Sequence, residues 1–327
     1  MRKIKKIAVM TSGGDAPGMN AAIRSVVRTC AYYQTQCMGI YRGYQGLIEN
    51  DLVSFTARSV NNIINKGGTI LKTARSDDFR TKEGRKKAHQ NLLDNKVDAL
   101  IVIGGDGSFT GAVLFGKEFD FPVIGIPGTI DNDIYGTSHT IGYDTALNTV
   151  VEAIDKIRDT ASSHNRLFFV EVMGRDAGFI ALNAGVGAGA EEILIPEENL
   201  GLERMLASLK KSSKSGKSSS IVVVSEGDKT GENVFELADY VEKNMTAYEV
   251  RVSVLGHLQR GGAPSCFDRV LASRLGVKAV ELLLDGKTNL MVGLQNNKVE
   301  TTTLEKAIKG NNSINMELLR VSDIMTT

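Results

Sequence analysis

Short apolar runs alternate with longer segments of helical periodicity along most of this chain. The runs are rich in β-branched residues and nearly every position in them is apolar, which is typical of strands buried on both faces of a parallel sheet. This alternation predicts repeated βαβ units and therefore an α/β fold. The predicted strands are Ile7–Thr11, Cys37–Tyr41, Ala99–Ile103, Val123–Ile126, Leu167–Met173 and Ser220–Ser225.

Residues 144–162 give the clearest helical pattern. Apolar side chains recur there at three- and four-residue spacing along one helix face, and they are Leu147, Val150, Val151, Ile154 and Ile157. Asp144 is a candidate N-cap for this helix. The serine- and lysine-rich segment 210–220 resembles a linker in composition. Because it lies between a helical pattern and a strand run, we predict a mobile surface loop within one domain.

Length and composition restrict the class of protein. A chain of 327 residues exceeds what one hydrophobic core usually supports, and its 42% apolar content is enough for two cores. The formal net charge is only +1, from 39 basic and 38 acidic residues, so the overall charge favours neither nucleic acid nor a membrane surface. No apolar stretch approaches the length of a membrane-spanning helix, and we expect a soluble, cytoplasmic protein.

The three cysteines, Cys30, Cys37 and Cys266, show neither a CxxC spacing nor an even count. This pattern favours free thiols in a reducing compartment over a disulfide framework or a zinc site. We predict that all three are buried packing residues.

The first glycine-rich segment, Thr11–Asn20 (TSGGDAPGMN), follows a strand and opens a helix. That is the placement of a phosphate site at a helix N-terminus, although a simple tight turn is an equal alternative. Met19 and Asn20 stand where a P-loop has Lys and Ser or Thr. Phosphate bound here would therefore need positive charge supplied by other parts of the chain.

Two further segments, Gly104–Ser108 (GGDGS) and Pro127–Asp133 (PGTIDND), each follow a buried apolar run. Ligands of open α/β sheets collect outside the carboxyl ends of the strands, so aspartates beside glycine turns at this edge point to phosphoryl transfer. Asp106 could hold Mg²⁺ beside a phosphate, or it could simply cap a helix. An aspartate of PGTIDND could accept the proton of a hydroxyl nucleophile.

Basic residues recur in glycine-containing loops of the second half of the chain. Each one alone could be a solvated surface charge. Several guanidinium groups converging would instead bind an anionic sugar, because the guanidinium fork matches a phosphate with two hydrogen bonds. The candidates are Arg166, Arg175, Arg251, His257 and Arg260.

The segments TSGGDAPGMNAAIR, GGDGS, PGTIDND, IGYDTAL, VEVMGRDAG and VLGHLQRGG resemble, in order and approximate spacing, the motifs of bacterial ATP-dependent 6-phosphofructokinases. The resemblance covers the chain to about Gly293. It implies transfer of the γ-phosphoryl group of ATP to the 1-hydroxyl of fructose 6-phosphate, giving fructose 1,6-bisphosphate in glycolysis. It also implies a homotetramer whose subunits have two Rossmann-like, three-layer αβα lobes with the active site in the cleft between them.

This resemblance also implies domain limits. The larger lobe, which binds ATP and Mg²⁺, would comprise residues 1–140 and 256–304. The smaller lobe, which binds fructose 6-phosphate, would comprise residues 141–255 and 305–327.

Residue roles follow from the resemblance in the same way. Asp131 matches the catalytic base and Asp106 the Mg²⁺ ligand, with Asp133 close to the metal. The other catalytic positions are Thr129, Arg75 and Arg175. The nucleotide-binding positions are Gly14, Arg75, Ser76, Gly105, Asp106, Gly107 and Ser108. The sugar-phosphate positions are Thr129, Ile130, Asp131, Met173, Gly174, Arg175, Glu226, His257, Leu258, Gln259 and Arg260, joined by Arg166 and Arg251 of a neighbouring subunit.

Two glycines indicate the phosphoryl donor. Pyrophosphate-dependent relatives typically carry Asp where this chain has Gly107, and Lys where it has Gly128. A carboxylate at residue 107 would crowd and repel an α-phosphate. We therefore predict that ATP, not pyrophosphate, is the donor.

The allosteric site of the family is only partly matched. Candidate effector-binding positions are Arg24, Arg28, Arg58, Arg158, Gly189, Glu191, Lys214 and Lys217. Ala57 replaces an expected arginine, and Asn61 or Asn62 replaces an expected acidic residue, which removes an anionic ligand for an effector-bound metal. We expect activation by ADP and inhibition by phosphoenolpyruvate to be weakened or altered.

Two other functions were compared with this one. An NAD or lipid kinase also uses a GGDG turn but lacks the PGTIDND and MGR elements. A nucleotide sensor without chemistry would not require a base such as Asp131, because binding alone needs no proton acceptor.

Overall fold

The structure, a computed structural model, describes residues 4–161, 166–198, 201–214, 220–245 and 248–325, with the side chains of residues 212–214 left out. The strands are β1 Lys6–Thr11, β2 Gln36–Ile40, β3 Leu52–Phe55, β4 Ala99–Gly104, β5 Val123–Pro127, β6 Arg166–Val172, β7 Glu192–Leu194, β8 Ser220–Ser225, β9 Glu249–Val254, β10 Leu290–Gln295 and β11 Lys298–Thr303. The helices are α1 Met19–Tyr32, α2 Gly43–Glu49, α3 Lys82–Asp94, α4 Asp106–Phe119, α5 Tyr143–Ala161, α6 Phe179–Gly187, α7 Leu202–Lys214, α8 Val234–Asn244, α9 Cys266–Leu284, α10 Leu304–Lys309 and α11 Met316–Met325.

The chain divides into two compact units. Unit 1 comprises residues 1–130, 134–145 and 260–312, and unit 2 comprises residues 131–133, 146–259 and 313–327. These limits fall at 145, 259 and 312, where the sequence-based division had 140, 255 and 304. The chain passes from one unit to the other within α5, whose first three residues belong to unit 1.

Unit 1 contains a seven-stranded sheet in the order β11-β10-β5-β4-β1-β2-β3. The central pairs are parallel, and antiparallel pairing occurs only at the two edges, between β2 and β3 and between β10 and β11. Apolar side chains of α2, α3 and α4 pack on the sheet, with the fully buried Phe109 and Phe115 among them. The buried central strands explain why their sequences are continuously apolar.

Unit 2 contains a four-stranded, all-parallel sheet in the order β7-β8-β6-β9. Its core includes Phe169 of β6 and Met205 of α7, both fully buried. The predicted α/β class is confirmed in both units.

Several local predictions need correction. Helix α5 begins at Tyr143, so Asp144 lies in its first turn and is not the N-cap. Helix α7 continues to Lys214, so the first part of segment 210–220 is helical, and residues 215–219 lie outside the described residues. Cys30 and Cys37 are free and buried as predicted, but Cys266 is exposed at the start of α9. Within the described ranges, no helix combines the length and the apolar character needed to cross a bilayer.

Candidate active site

Three loops of unit 1 meet at the carboxyl edge of its sheet. Strands β1, β4 and β5 are parallel neighbours. Ser12 N donates to Ile103 O at 3.0 Å, and Gly128 N donates to Gly104 O at 3.0 Å. The segments TSGGD, GGDGS and PGTI are therefore adjacent, as expected for loops that leave parallel strands at the same end.

Close backbone approach at this edge depends on glycine. A Cβ atom added at Gly104 would lie 2.5 Å from both Ser108 Oγ and Ser12 O. At Gly14 it would lie 2.5 Å from a guanidinium nitrogen of Arg260. Arg260 Nη1 also donates to Asp15 O at 3.2 Å. Arg260, which was predicted to bind the sugar phosphate, therefore contacts the first glycine-rich loop.

Asp106 is the first residue of α4 and is partly buried. The alternative interpretation of Asp106 as a helix cap is wrong, because Gly105 occupies the N-cap position. Gly107 is exposed, and a Cβ atom added there would meet nothing within 4 Å. The carboxylate thus lies beside an open helix N-terminus, which is a favourable place for a phosphate group.

A buried tyrosine that sequence reasoning missed supports the start of α4. The hydroxyl of Tyr44 donates to Ser108 O at 2.6 Å, and its ring stacks on Phe79 with centroids 4.0 Å apart. Burial raises the pKa of Tyr44, so it stays a neutral donor. The only sequence signal was its position in the amphipathic α2.

The segment that carries Arg75 and Ser76 is held by α2, the helix that also contains Tyr44. Ser76 Oγ donates to Gln45 Oε1 at 2.8 Å and accepts from Phe79 N at 3.3 Å. Arg75 is exposed and forms no ion pair within the part of the chain that the structure describes. Its guanidinium is therefore available to a phosphate group.

The PGTIDND segment is buried where the chemistry was predicted. Thr129 and Asp131 are 8% and 3% exposed, and the Ile130 side chain is fully buried. Asp131 therefore does not point into bulk solvent. A Cβ atom added at Gly128 would lie 3.1 Å from Ile103 Cγ2 and 3.2 Å from Met19 Cε, so a side chain there would require these two side chains to shift by a few tenths of an ångström.

Three turns of unit 2 meet at the carboxyl edge of the second sheet. Glu226 N donates to Val172 O at 2.9 Å, and Leu255 N donates to Glu171 O at 3.0 Å. The MGR turn after β6 is therefore flanked by the turn after β8 and by the HLQ turn after β9. Each turn carries residues predicted to bind the sugar phosphate.

Glu226 shapes the MGR turn. Its Oε1 accepts hydrogen bonds from Arg175 N at 2.7 Å and from Gly174 N at 3.2 Å. Arg175 has a left-handed backbone, with φ of 55°, and its residue is exposed. Burial and the charge of Glu226 raise the pKa of the neighbouring Glu171. Glu226 is thus occupied, at least in part, in orienting the arginine.

Gln259 is fully buried, although it was predicted to contact substrate. Its Oε1 accepts from Met173 N at 3.2 Å, and its Nε2 donates to Gly256 O at 3.0 Å. The structure therefore gives Gln259 the role of joining two turns. His257 and Leu258 beside it are exposed.

Arg166 and Arg251 lie away from these turns. Both form ion pairs with Glu249, and the Arg166 Nε to Glu249 Oε2 distance is 2.7 Å. Arg166 begins β6, whereas Met173 follows its last residue, a separation of roughly 20 Å along an extended strand. The structure does not bring Arg166 to the sugar-phosphate turns of its own chain.

The candidate effector residues form two groups, one in each unit. In unit 1, Arg28 Nη2 donates to Asn61 Oδ1 at 3.0 Å, and burial together with Arg28 lowers the pKa of Arg24. Arg58 is exposed on the same unit. One of the two asparagines that could stand at the expected acidic position, Asn61, is thus bonded to a candidate effector arginine.

In unit 2, Arg158 Nη2 donates to the carbonyl oxygens of Ala188 and Gly189, each at 2.8 Å. Its Nη1 lies 3.7 Å from Glu191 Oε1. The side chain of Lys214 and all of Lys217 lie outside the described residues.

The residues around Asp106 fit a Mg²⁺ ion that is bound mainly by substrate phosphates. Within the described ranges, no group of three or more His, Cys, Asp or Glu side chains gathers as a metal site. Mg²⁺ commonly needs only one or two carboxylates when substrate phosphates complete its coordination. A single aspartate beside an open helix N-terminus satisfies that requirement.

Comparisons with known proteins agree with this arrangement. The chain is 51% identical over 321 residues to ATP-dependent 6-phosphofructokinase 2 of Bacteroides thetaiotaomicron, covering 98% of both chains. It is 52% identical over 322 residues to ATP-dependent 6-phosphofructokinase 1 of Thermus thermophilus, covering 98% of this chain and 99% of that one.

Among solved structures, phosphofructokinase from Saccharomyces cerevisiae superimposes with a TM-score of 0.90 at 36% identity, over 98% of this chain and 46% of that chain. A family model described as phosphofructokinase matches residues 6–283. The predicted family is confirmed, and the chain belongs to the phosphofructokinase family.

Proposed function

We propose that this protein is an ATP-dependent 6-phosphofructokinase. It transfers the γ-phosphoryl group of ATP to the 1-hydroxyl of D-fructose 6-phosphate and yields fructose 1,6-bisphosphate and ADP in glycolysis. One observation carries the proposal: the identity of 51–52% over 98% of the chain to relatives that bear this name. We further propose that it acts in the cytoplasm, where the enzymes of glycolysis act.

The chemistry assigned to Asp131 is general-base catalysis. Its carboxylate accepts the proton of the sugar 1-hydroxyl as that oxygen forms a bond to the γ-phosphorus, while the bond from the γ-phosphorus to the bridging oxygen of ADP breaks. Low exposure supports this role, because a carboxylate shielded from water is held in one position. Thr129 lies two residues before it and is positioned to contact the transferring group.

The cationic side chains stabilise the charge on the transferring group. Arg75, exposed beside α2, and Arg175, on the turn shaped by Glu226, are assigned this task. A guanidinium fork can contact two phosphate oxygens at once.

Unit 1 supplies the nucleotide site in this proposal. Gly14, Arg75, Ser76 and Gly105–Ser108 surround the phosphates, and Asp106 would hold Mg²⁺. Asp133 belongs to unit 2, and its assignment near the metal rests on the resemblance alone. Mg²⁺ supplies positive charge that offsets the charge of the phosphate oxygens. The open space at Gly107, which leaves room for a nucleotide, supports ATP as the donor.

Unit 2 supplies the sugar-phosphate site. Met173, Gly174, Arg175, His257 and Leu258 contact fructose 6-phosphate, while Glu226 and Gln259 maintain the turns that carry them. Arg166 and Arg251 are assigned to the site of a neighbouring copy in a homotetramer. The distance of Arg166 from the MGR turn of its own chain supports that assignment.

Allosteric control is proposed to be weak. An asparagine, Asn61 or Asn62, stands where an acidic residue is expected, and its neutral amide offers no anionic ligand to an effector-bound metal. Asn61 accepts a hydrogen bond from Arg28 instead. Fructose 6-phosphate saturation curves should therefore move little when ADP or millimolar phosphoenolpyruvate is added. Strongly sigmoidal curves that phosphoenolpyruvate shifts would contradict this.

A coupled assay tests the function directly. Formation of fructose 1,6-bisphosphate is measured with ATP or pyrophosphate as donor, each with and without fructose 6-phosphate. We expect product with ATP only, and ADP release only when the sugar is present. Preference for pyrophosphate, or ATP hydrolysis that does not depend on the sugar, would overturn the proposal.

A further inference from the structure

Asp268 is a fully buried carboxylate outside the residues assigned above. It lies in the first turn of α9, whose N-cap is Ser265, and its exposed fraction is 0%. Its side chain reaches the start of α5. Oδ1 accepts from Gly142 N at 2.8 Å, and Oδ2 accepts from Thr145 N at 2.9 Å and from Thr145 Oγ1 at 2.5 Å.

The network around this carboxylate is closed by Ser265. Ser265 N donates to Thr145 Oγ1 at 2.9 Å, and Ser265 Oγ donates to Asp144 Oδ2. Asp268 N donates in turn to Ser265 Oγ at 3.2 Å. The starts of the two helices are thereby joined by hydrogen bonds from both side chains and backbone N–H groups.

The segment that Asp268 holds is joined to the catalytic loop. Ile141 N donates to Pro127 O at 3.0 Å, and Ile141 forms a bridge with Gly128. Thr140 Oγ1 donates to Thr129 O at 2.6 Å. Residues 140–145 therefore lie between Asp268 and the backbone of Thr129, which leads directly into Asp131.

We propose that Asp268 is a positioning residue for phosphoryl transfer, whose ionised carboxylate fixes residues 140–145 and, through them, the loop that carries Thr129. This inference rests on the proposed function. It assigns no contact between Asp268 and substrate, since the side chain is used within unit 1.

Burial makes the ionised form of Asp268 unfavourable, so its charge does not stabilise the fold. A role in positioning gives this charge a use. Burial raises its pKa to about 6 from the ordinary 3.8, although the hydrogen bonds from Thr145 and Gly142 oppose this, and nearby Asp144 raises it further. Nearby titratable groups include His139, which packs on the adjacent Phe267 and on Tyr143, and Arg269, which donates to Pro264 O. A Cβ atom added at Gly18, in the loop before α1, would lie 3.5 Å from Asp268 Cβ, so this uncharged loop is also close to Asp268.

The pH dependence separates a positioning role from a purely structural one. Between pH 3.8 and about 6 the native carboxyl is more protonated than the unfolded one, so the contribution of Asp268 to stability falls as pH rises through this window. Its ionised form is the one that accepts all three hydrogen bonds. Activity should therefore rise over the pH range in which this stability contribution falls.

The test uses Asp268→Asn in the full-length protein, with Asp285→Asn as the control, an exposed carboxylate at the other end of α9. Asparagine keeps an acceptor for Gly142 but presents N–H groups to the donors of Thr145. We expect kcat to fall about 10- to 100-fold, as for small misplacements of reacting groups, with KM for ATP within about 3-fold. The acid limb of kcat between pH 5 and 7 should flatten, and the control should match wild type.

Thermal unfolding is measured on the same proteins. Relative to Asp268→Asn, wild type should lose stability as pH rises from 4 to about 6. Wild-type kcat and an unchanged acid limb in Asp268→Asn would overturn the inference, as would a loss of activity that only follows the unfolded fraction. If wild type and Asp285→Asn show no phosphoryl transfer to the sugar, the proposed function fails instead.

Thr145 provides a second pair of variants should Asp268→Asn not fold. Thr145→Ser keeps the hydroxyl that bonds Asp268, and Thr145→Val removes it while keeping the backbone N–H donor. We expect Thr145→Ser to stay within about 2-fold of wild-type kcat and Thr145→Val to lose about 10-fold. Equal kcat values for the two would contradict the inference.

Discussion

At the scale of single residues, the candidate base and the groups around it differ in how strongly the fold constrains them. Asp131 is 3% exposed, whereas Arg75, Arg175 and His257 are all exposed. A base must hold its geometry relative to one hydroxyl, so burial suits it. Phosphate-binding cations must remain accessible until the ligand arrives.

Replacing Asp131 with serine should lower kcat by about 10²-fold or more, because the proton acceptor is lost from the transition state. KM for fructose 6-phosphate and for ATP should stay near wild type. Steady-state kinetics of Asp131→Ser measure this. Asp94→Ser, at an exposed position at the end of α3, serves as the control and should behave as wild type. An unchanged kcat in Asp131→Ser would remove Asp131 from the role of base.

The sequence identified these residues by type and motif, but it did not show which contacts each side chain makes. Gln259 and Arg260 are neighbours in one motif, yet Gln259 is fully buried between two turns and Arg260 contacts the loop at Gly14. Asp106 was identified, but a helix cap remained an alternative until the structure placed Gly105 there. Such differences depend on contacts between segments distant in sequence, which a motif does not contain.

At the scale of elements, α2 supports the segments that are proposed to bind the nucleotide. Its Tyr44 bonds the first turn of α4 through Ser108 O, and its Gln45 bonds Ser76. An added Cβ at Gly111 of α4 would lie 2.9 Å from the Tyr44 ring, so the two helices are in close contact. Short helices of this kind are poorly predicted from periodicity, because seven residues give fewer than two turns of pattern.

Tyr44→Phe should keep the stacking on Phe79 and lose only the hydrogen bond to Ser108 O. Ser108 lies within α4, so its carbonyl keeps its helical partner, and losing the additional hydrogen bond costs about 0.5–1.5 kcal/mol. We therefore expect a slightly lower unfolding midpoint. KM for ATP should rise several-fold, with KM for fructose 6-phosphate unchanged, because the start of α4 is proposed to bind the nucleotide. Tyr240→Phe, on α8 of unit 2, is the control. A rise in both KM values would show that the effect is not confined to the nucleotide site.

The strands missed by the sequence interpretation are mostly at sheet edges. Strand β11 (KVETTT) is polar and largely exposed, and β7 has three residues only. Strand β10 is apolar, but it is interrupted by Gly293, where an added Cβ would lie 2.5 Å from Gly136 O. Central strands were found because burial on two faces leaves a continuous apolar run, and edge strands carry no such signal.

At the scale of the whole molecule, the two arginines assigned to a neighbouring copy lie away from the sugar-phosphate turns of their own chain. Arg166 and Arg251 both bind Glu249, and Arg166 stands at the amino end of β6. The MGR turn stands at the carboxyl end of the same strand. One chain cannot direct both ends of β6 at a single phosphate group, so Arg166 takes part in catalysis only if a second copy supplies it.

Complementation between inactive copies tests this. Arg166→Ala and Asp131→Ser should each be nearly inactive alone, but co-production should restore activity at about one quarter of the sites in randomly mixed assemblies. A site is complete when its own chain supplies Asp131 and its neighbour supplies Arg166. The control mixture combines Asp131→Ser with Arg175→Ala, both assigned to the same chain of a site, and should show no gain over the separate proteins. If the Arg166→Ala mixture also shows no gain while wild type remains active, Arg166 serves its own chain and does not act across the subunit interface. In that case neither variant chain could supply both Asp131 and Arg166 to one site.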